Sequence, residues 1–103
     1  MTWGVITDVA APAEFYDAVH ARLLDLTGGR ADGLLVHLAR ATDTGFQVVE
    51  VWESKDHFER HQVELVGPLL AEMSGADGPP GEGPVATEFD VRGLVVPPAG
   101  VAV

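Results

Sequence analysis

The segment Phe46–His61, FQVVEVWESKDHFERH, predicts a β-strand that leads directly into an α-helix. The apolar run up to Trp52 is typical of a buried strand. Ser54 is a suitable N-cap, because its hydroxyl can accept a hydrogen bond from the free amides of a first helical turn. Phe58 is the first clear apolar residue of that helix. No residues remain for a loop, so we expect the orientation of Trp52 against the helix to be tightly constrained.

Apolar periodicity and the positions of glycine and proline predict the other elements. Strands are predicted at Trp3–Val9, Gly33–Arg40, Phe46–Glu53 and Val85–Val96, and helices at Glu14–Leu26 and Asp56–Met73. Pro68 lies inside the second helix and removes a backbone donor, so a kink or break is expected near Gly67. The stretch Ser74–Pro84 predicts a mobile loop, because Gly and Pro occupy more than half of it.

The predicted order is strand, helix, strand, strand, helix, strand. With right-handed crossovers this order gives an α+β, ferredoxin-like fold, in which two helices cover one face of a four-stranded antiparallel sheet. We expect residues 1–103 to form a single domain, with 97–103 as a flexible tail or a segment that contacts a partner subunit. Two helices on one side leave the other side of the sheet bare, so a homodimer is expected to complete the core.

The composition excludes several classes of function. Sixteen acidic residues stand against six Lys and Arg, which gives a net charge of −10. Nucleic acid and anionic membranes are therefore poor partners, because phosphate binding needs clustered cations. The chain has no cysteine, which rules out disulfides and thiolate zinc sites and fits a cytoplasmic protein. We see no signal peptide and no apolar run long enough to span a membrane.

The two central strands have different faces. A short connection at Ala41–Thr44 and Gly45 predicts a hairpin in which His37 lies opposite Val48. In that register one face is almost purely aliphatic, and we expect it to lie under the helices; it consists of Leu34, Val36, Leu38, Val49 and Val51. The other face, the mixed face, is apolar and aromatic with one imidazole and one carboxylate. It consists of Leu35, His37, Ala39, Phe46, Val48, Glu50 and Trp52.

His37, His61 and Glu50 are the residues for which we predict catalytic roles. A neutral imidazole at His37 can accept a proton from an enol or phenol and return it. His61 is predicted to face the sheet from the second helix and could do the same. Glu50 could orient either histidine. The alternatives are a structural histidine at His37, and a carboxylate that pairs with Arg22 or Arg92.

Aromatic and apolar residues of the mixed face and of the two helices are predicted to bind the substrate. Trp52 could stack on a planar ligand, and its alternative role is that of a buried core residue. Tyr16, on the first helix, could bind a ligand oxygen or could serve only as peripheral packing. The predicted substrate-binding residues are Trp52, Tyr16, Phe46, Phe58 and Leu35.

A metal site is not expected. His57 and His61 are four residues apart and share a helix face, and His37 could in principle add a third ligand. No clear carboxylate–histidine motif completes this set. We therefore expect neither a metal nor another cofactor.

The run VVEVWESKDHFERH resembles the strand-to-helix corner of the dimeric α/β-barrel superfamily, and in particular the antibiotic biosynthesis monooxygenase-like proteins. The shared pattern is Trp52, Glu53 and Ser54, followed by Phe58 and His61. The resemblance implies a homodimer of face-to-face sheets with one pocket in each subunit. It also implies an activity among cofactor-independent oxygenases, polyketide cyclases, lactone isomerases and haem-degrading enzymes, or no reaction at all.

The chain departs from the oxygenase branch of this family. Those enzymes hold an acidic polycyclic phenol with Asn, Trp, Tyr and Arg, whereas this sequence has no Asn and its one Tyr is Tyr16. We therefore expect a cytoplasmic homodimer acting on a planar, polyketide-like or aromatic small molecule as a monooxygenase, cyclase or isomerase. The alternatives are a non-catalytic ligand-binding or stress-associated dimer, and a haem-binding protein.

Overall fold

The computed structural model of the chain describes residues 2–74 and 84–97. The described elements are β1 (Trp3–Val9), α1 (Ala13–Thr27), β2 (Leu34–Ala41), β3 (Phe46–Trp52), α2 (Lys55–His61), a π-helical segment (Gln62–Val66), α3 (Gly67–Ser74) and β4 (Val85–Phe89). Most of the predicted mobile loop, 75–83, and most of the predicted tail, 98–103, lie outside the described residues.

The four strands form one antiparallel sheet in the order β2-β3-β1-β4. The helices lie on one side of it, since side chains of α1 and α2 contact residues of a single sheet face. The predicted α+β, ferredoxin-like fold is therefore confirmed. No helix in the described part of the chain has both the length and the apolar character needed to cross a bilayer.

β4 is shorter than predicted. The strand was expected to extend to Val96, but it ends at Phe89. Among the described strands it pairs with β1, and Phe89 pairs with Gly4, one residue from the start of that strand. The ladder therefore ends close to the end of β1.

The second helix is interrupted, as predicted from Pro68, but the interruption is a π-helical segment. The amide of Gly67 donates to the carbonyl of Gln62, five residues earlier. Pro68 has no amide hydrogen, and its ring crowds the preceding turn, so a wider turn just before it relieves the conflict. The segment brings Gln62 and Val66 to the side of the helix that faces the sheet.

The β2–β3 hairpin differs from the prediction by two residues. Thr42 and Gly45 close the turn with two backbone hydrogen bonds of 2.8 and 3.4 Å. His37 consequently lies opposite Glu50, where Val48 was predicted. Because side chains alternate with a period of two, this shift by itself leaves residues on their predicted faces and changes only their neighbours; Leu34, beyond a bulge, is the exception.

The assignment of the two faces to the helices was wrong. The mixed face lies under the helices, since His37 contacts Tyr16 of α1, and Trp52 contacts His61 of α2. The aliphatic face is the open one, with Leu38 60% exposed. A bulge between Leu34 and Val36 turns Leu34 to the helix side. Both faces are apolar enough to be buried, so strand periodicity by itself could not choose between them.

Trp52 anchors the corner between β3 and α2. Its side chain is 0% exposed, and its indole contacts the rings of Phe58 and His61 at 5.9 and 5.2 Å. The Ser54 hydroxyl accepts from the amide of His57 at 3.3 Å, which is the expected N-cap. Removal of a buried aromatic side chain of this kind costs about 3–5 kcal/mol. The corner is therefore a principal source of stability as well as the support of the site above it.

Candidate functional site

A cavity of about 830 Å³ lies between the mixed face of the sheet and the helices. All but one of the predicted site residues line it: Tyr16, Leu35, His37, Phe46, Glu50, Phe58 and His61. The exception is Trp52, which is fully buried behind the wall. The predicted stacking of a ligand on Trp52 therefore finds no exposed indole surface. A volume of several hundred cubic ångströms with few polar groups is typical of a small-molecule site.

A chain of hydrogen bonds runs across the sheet to α1. The indole nitrogen of Trp52 donates to Oε1 of Glu50 at 3.2 Å. The other oxygen of Glu50 lies 2.7 Å from Nδ1 of His37. Nε2 of His37 lies 2.7 Å from the hydroxyl of Tyr16. The sequence positions these groups directly, because His37 and Glu50 are cross-strand partners and Trp52 is two residues along the same face.

The partners of Glu50 determine which atoms carry protons. An ionised carboxylate can only accept, so it receives Trp52 Nε1–H and His37 Nδ1–H. Nε2 of a neutral His37 is then an acceptor for the Tyr16 hydroxyl. The carboxylate is 12% exposed and the imidazole 24% exposed, which strengthens these bonds relative to the same contacts in water. The alternative pairing of Glu50 with Arg22 or Arg92 is not found among the described residues.

Tyr16 lines the cavity and bonds to His37. Its ring contacts those of Phe46 at 5.3 Å and His20 at 5.2 Å. Burial raises the pKa of Tyr16 to about 12, and the negative charges of Glu50 and Asp17 add to this effect. The hydroxyl therefore stays protonated throughout the physiological range.

His61 is a second imidazole on the cavity wall. Burial lowers its pKa below the usual 6.5, with an opposing effect from Glu50 and a smaller lowering effect from His37. The lowered pKa keeps the ring neutral near pH 7, so it can accept a proton from a bound molecule. α2 places the ring 5.2 Å from the indole of Trp52.

His20 is a cavity residue that was not predicted from the sequence. Its ring lies 5.4 Å from that of His37 and nearly parallel to it, and it lines the cavity beside Tyr16. Tyr16 and His20 are four residues apart on the inward face. That spacing, applied to polar aromatic residues as well as apolar ones, would have found it.

His57 lies outside this cavity. Its Nδ1 bonds to Ser54 Oγ at 2.7 Å, and its Nε2 lies 3.9 Å from Asp32. Ligand atoms of Asp32, Glu53 and His57 all fall within 4.8 Å of one another. Asp32 also pairs with Arg60 at 3.6 Å, and both carboxylates are exposed. We interpret this group as a surface ion-pair network.

Solved structures with a similar fold include a protein from Caulobacter crescentus provisionally described as an antibiotic biosynthesis monooxygenase. It is 20% identical, the alignment covers 87% of this chain and 89% of that one, and the TM-score is 0.66. SnoaB, a cofactor-independent oxygenase from Streptomyces nogalater, is also 20% identical, with 91% and 94% covered and a TM-score of 0.54. The chain has the fold of the antibiotic biosynthesis monooxygenase-like proteins.

The resemblance predicted from the Trp52 corner is thus confirmed at the level of the fold. A protein of unknown function from Nitrosomonas europaea shares this fold too, with 11% identity, 93% and 94% covered, and a TM-score of 0.68. No protein-family model and no curated protein sequence matches the chain. One fold hosts many reactions, so the chemistry of this chain rests on its own cavity residues.

Proposed function

We propose that this chain is a small cytoplasmic homodimeric enzyme that performs acid–base chemistry on a planar, oxygenated small molecule of the polyketide-like or aromatic class. The observation that carries the proposal is the hydrogen-bonded chain from Trp52 through Glu50 and His37 to Tyr16, on the wall of a large apolar cavity. Such a chain can store and return one proton with little rearrangement, which is what a general acid–base group requires.

The proposed roles follow from the contacts. His37 or His61 moves the proton, and Glu50 orients His37 by holding its Nδ1–H. Trp52 does not contact the substrate in this proposal; it positions Glu50 by donating a hydrogen bond to the second carboxylate oxygen. Tyr16, Leu35, Phe46 and Phe58 provide the surface against which a flat molecule packs.

The reaction class is proton transfer that forms or consumes an enolate. This step is common to isomerisation, cyclisation and oxygenation of a substrate that activates oxygen through its own enolate. None of these requires a cofactor, and SnoaB with the same fold is described as a cofactor-independent oxygenase. The chain has no asparagine, so any oxygenase chemistry here would differ in its residues from the pattern of that branch.

The homodimer part of the proposal is supported by the open side of the sheet. The residues of β2 and β3 on that side are largely aliphatic, and none of the described helices covers it. Leu38 and Val85 on that side are 60% and 63% exposed. A second copy of the chain would remove this apolar surface from water, at roughly 25 cal/mol per Å² buried.

Hydrogen–deuterium exchange into 2-tetralone, an enolisable planar ketone, tests the enzyme hypothesis. We expect the protein to accelerate exchange beside the carbonyl over buffer on the order of 10²-fold or more. A double variant, His37→Gln with His61→Gln, should return the rate to that of buffer. The matched control is His57→Gln, which changes a histidine outside the cavity. This variant should accelerate exchange into 2-tetralone as much as the unaltered protein does. Unchanged exchange in the double variant would remove the proposed roles of both histidines.

A non-catalytic ligand-binding dimer is the alternative, and one observation favours it. Both ring nitrogens of His37 already have partners at 2.7 Å, as a purely structural histidine would. Binding of 2-tetralone by equilibrium dialysis without accelerated exchange would support this alternative. A visible absorbance scan after mixing with haem tests the haem-binding branch in the same samples.

A further inference from the structure

His37 has no free ring nitrogen with which to meet a substrate. Nδ1 is held by Glu50 and Nε2 by Tyr16, each at 2.7 Å. Direct proton uptake at either nitrogen would first require one of these bonds to break. A partly buried polar atom that loses its partner without a replacement costs about 1–3 kcal/mol.

The hydroxyl of Tyr16 is the end of the hydrogen-bonded chain on the α1 side. Tyr16 lines the cavity, and its side chain is only partly buried. A hydroxyl has one donor and two acceptor lone pairs. Donation to Nε2 of His37 uses the hydrogen and leaves the lone pairs available to a donor in the cavity.

Resting on the proposed function, we propose that Tyr16 exchanges the proton with the substrate and that His37 acts through it. The enol or phenol hydroxyl expected from the family resemblance complements the phenolic oxygen, whereas a C–H group would make only a weak hydrogen bond to it. The new element of the inference is the contact residue, Tyr16.

The proton transfer balances within the chain of residues. The substrate O–H bond breaks, and its proton forms a new O–H bond at Tyr16. The original hydroxyl proton of Tyr16 moves to Nε2 of His37. The imidazolium that forms keeps its Nδ1–H on the Glu50 carboxylate, so the positive charge lies beside a negative one. The reverse sequence returns the proton, and no oxidant or reductant takes part.

The electrostatics favour transfer through Tyr16 over storage of charge on it. Burial raises the pKa of Tyr16 to about 12, so a tyrosinate is disfavoured. In the concerted transfer Tyr16 is neutral before and after, and the charge resides on His37 and Glu50. Contacts with Phe46 and His20 position the ring independently of its hydroxyl. A Tyr16→Phe variant therefore keeps the ring contacts and removes only the relay atom.

The experiment uses p-nitrophenol, whose phenolate absorbs visible light, as the probe. With the unaltered protein, we expect bound probe to be phenolate at a pH about one unit below that needed by free probe, a roughly tenfold shift in the ionisation equilibrium. Tyr16→Phe should lose this shift while equilibrium dialysis still detects bound probe. His37→Gln should lose it as well, and His57→Gln should keep it.

The outcomes separate this inference from the proposed function. If the shift is lost in His37→Gln but kept in Tyr16→Phe, His37 meets the substrate directly; the inference is then overturned and the proposed function stands. If the unaltered protein neither binds nor ionises the probe while it accelerates exchange into 2-tetralone, the hydroxyl class of substrate is overturned and acid–base function stands. If neither probe responds, both proposals fail.

A second measurement covers the case in which Tyr16→Phe does not fold. Tyr16 is the only tyrosine in the chain, so growth on 3-fluorotyrosine labels this position alone and preserves the hydroxyl. The fluorine lies next to the phenolic oxygen, and its resonance should shift when p-nitrophenol binds. A resonance that does not move while the probe is bound would contradict contact with Tyr16.

Discussion

Glu50 holds two donors at once, and the geometry of the site depends on this carboxylate. One oxygen accepts from the indole of Trp52 and the other from the imidazole of His37. These bonds determine the tautomer of His37 and hence the direction in which Tyr16 donates. A glutamine in place of Glu50 would keep the size of the side chain, but its amide nitrogen would face the N–H of either Trp52 or His37, and two donors cannot bond to each other. The change would therefore disturb the chain of hydrogen bonds without opening a cavity.

Tyr16 should ionise well above the ordinary range of a tyrosine. Because it is the only tyrosine in the chain, an ultraviolet titration of the folded protein reports this residue alone. We expect a pKa of about 12, compared with 10.0 for an unperturbed tyrosine. The folded state thus keeps this proton more tightly than the unfolded state, so its contribution to stability is complete below about pH 10 and is lost as the pH rises through about 12.

A Glu50→Gln variant provides the control for this titration. Removal of the negative charge should lower the pKa of Tyr16 only part of the way, because burial is the largest cause of the shift and Glu50 the second. A titration near pH 10 in the unaltered, folded protein would contradict the buried position of the hydroxyl.

His61 should make the fold sensitive to acid. Burial lowers its pKa below 6.5. Just below pH 6.5, His61 is therefore protonated to a greater extent in the unfolded chain than in the folded one. The free energy of unfolding should therefore fall as the pH drops below 6.5. Urea unfolding between about pH 8 and about pH 5 measures the slope, since histidine is the side chain that titrates in this range. His61→Gln should show a shallower slope, and an identical slope in both proteins would contradict the prediction.

At the scale of elements, the attachment of β4 depends on Gly4. A Cβ atom at this position would overlap the ring of Phe89, which lies across Gly4 on the open face of the sheet. We expect Gly4→Ala to lower the free energy of unfolding by about 1–3 kcal/mol through overpacking. The matched control is Gly93→Ala, which meets no atom within 4 Å and should change stability by less than about 0.5 kcal/mol.

A compensating change shows whether the overlap is the cause. Phe89→Leu in the Gly4→Ala background should recover part of the loss, because a smaller side chain makes room for the new methyl group. Urea unfolding of the four proteins measures the coupling between the two positions. Strictly additive effects would mean that the alanine acts elsewhere.

The π-helical segment shows how a local rule acts on the site. Pro68 predicted an interruption in the second helix, and the wider turn Gln62–Val66 precedes it. His61 of α2 is the last residue before the wider turn, and it lines the same cavity as Gln62 and Val66. π-bulges of this kind are frequent at functional sites, because they change the direction of one or two side chains without ending the helix.

At the scale of the whole molecule, the open aliphatic face predicts self-association. We expect Leu38→Glu to convert a dimer into a monomer, since a charge at the centre of an apolar interface has to be desolvated. Sedimentation velocity at micromolar concentration measures the change. Val63→Glu is the matched control, because Val63 is 75% exposed on the π-helical segment, away from the sheet. A monomeric, well-folded unaltered protein at this concentration would refute the proposed dimer.

Local signals predicted the elements and most of the candidate residues that line the cavity. The N-cap at Ser54 and the interruption near Pro68 depend on neighbouring residues, and both were found where predicted. His37 and Glu50 were placed on one face because alternation in a strand is local. Their direct cross-strand pairing was not predicted, since the register depends on which residues close the turn. Thr42 and Gly45 do so, one position later than expected.

The sequence by itself determined the order of elements, the fold class and, apart from Leu34, the membership of the two faces of β2 and β3, because these follow from backbone preferences and side-chain periodicity within short segments. Only the tertiary structure decided which face the helices cover, how far β4 extends, and that Tyr16 and His20 of α1 meet His37 of β2. Those outcomes depend on contacts between segments far apart in the chain. Where both faces of a sheet are apolar, the free energy of packing the helices makes the choice, and no local pattern encodes it.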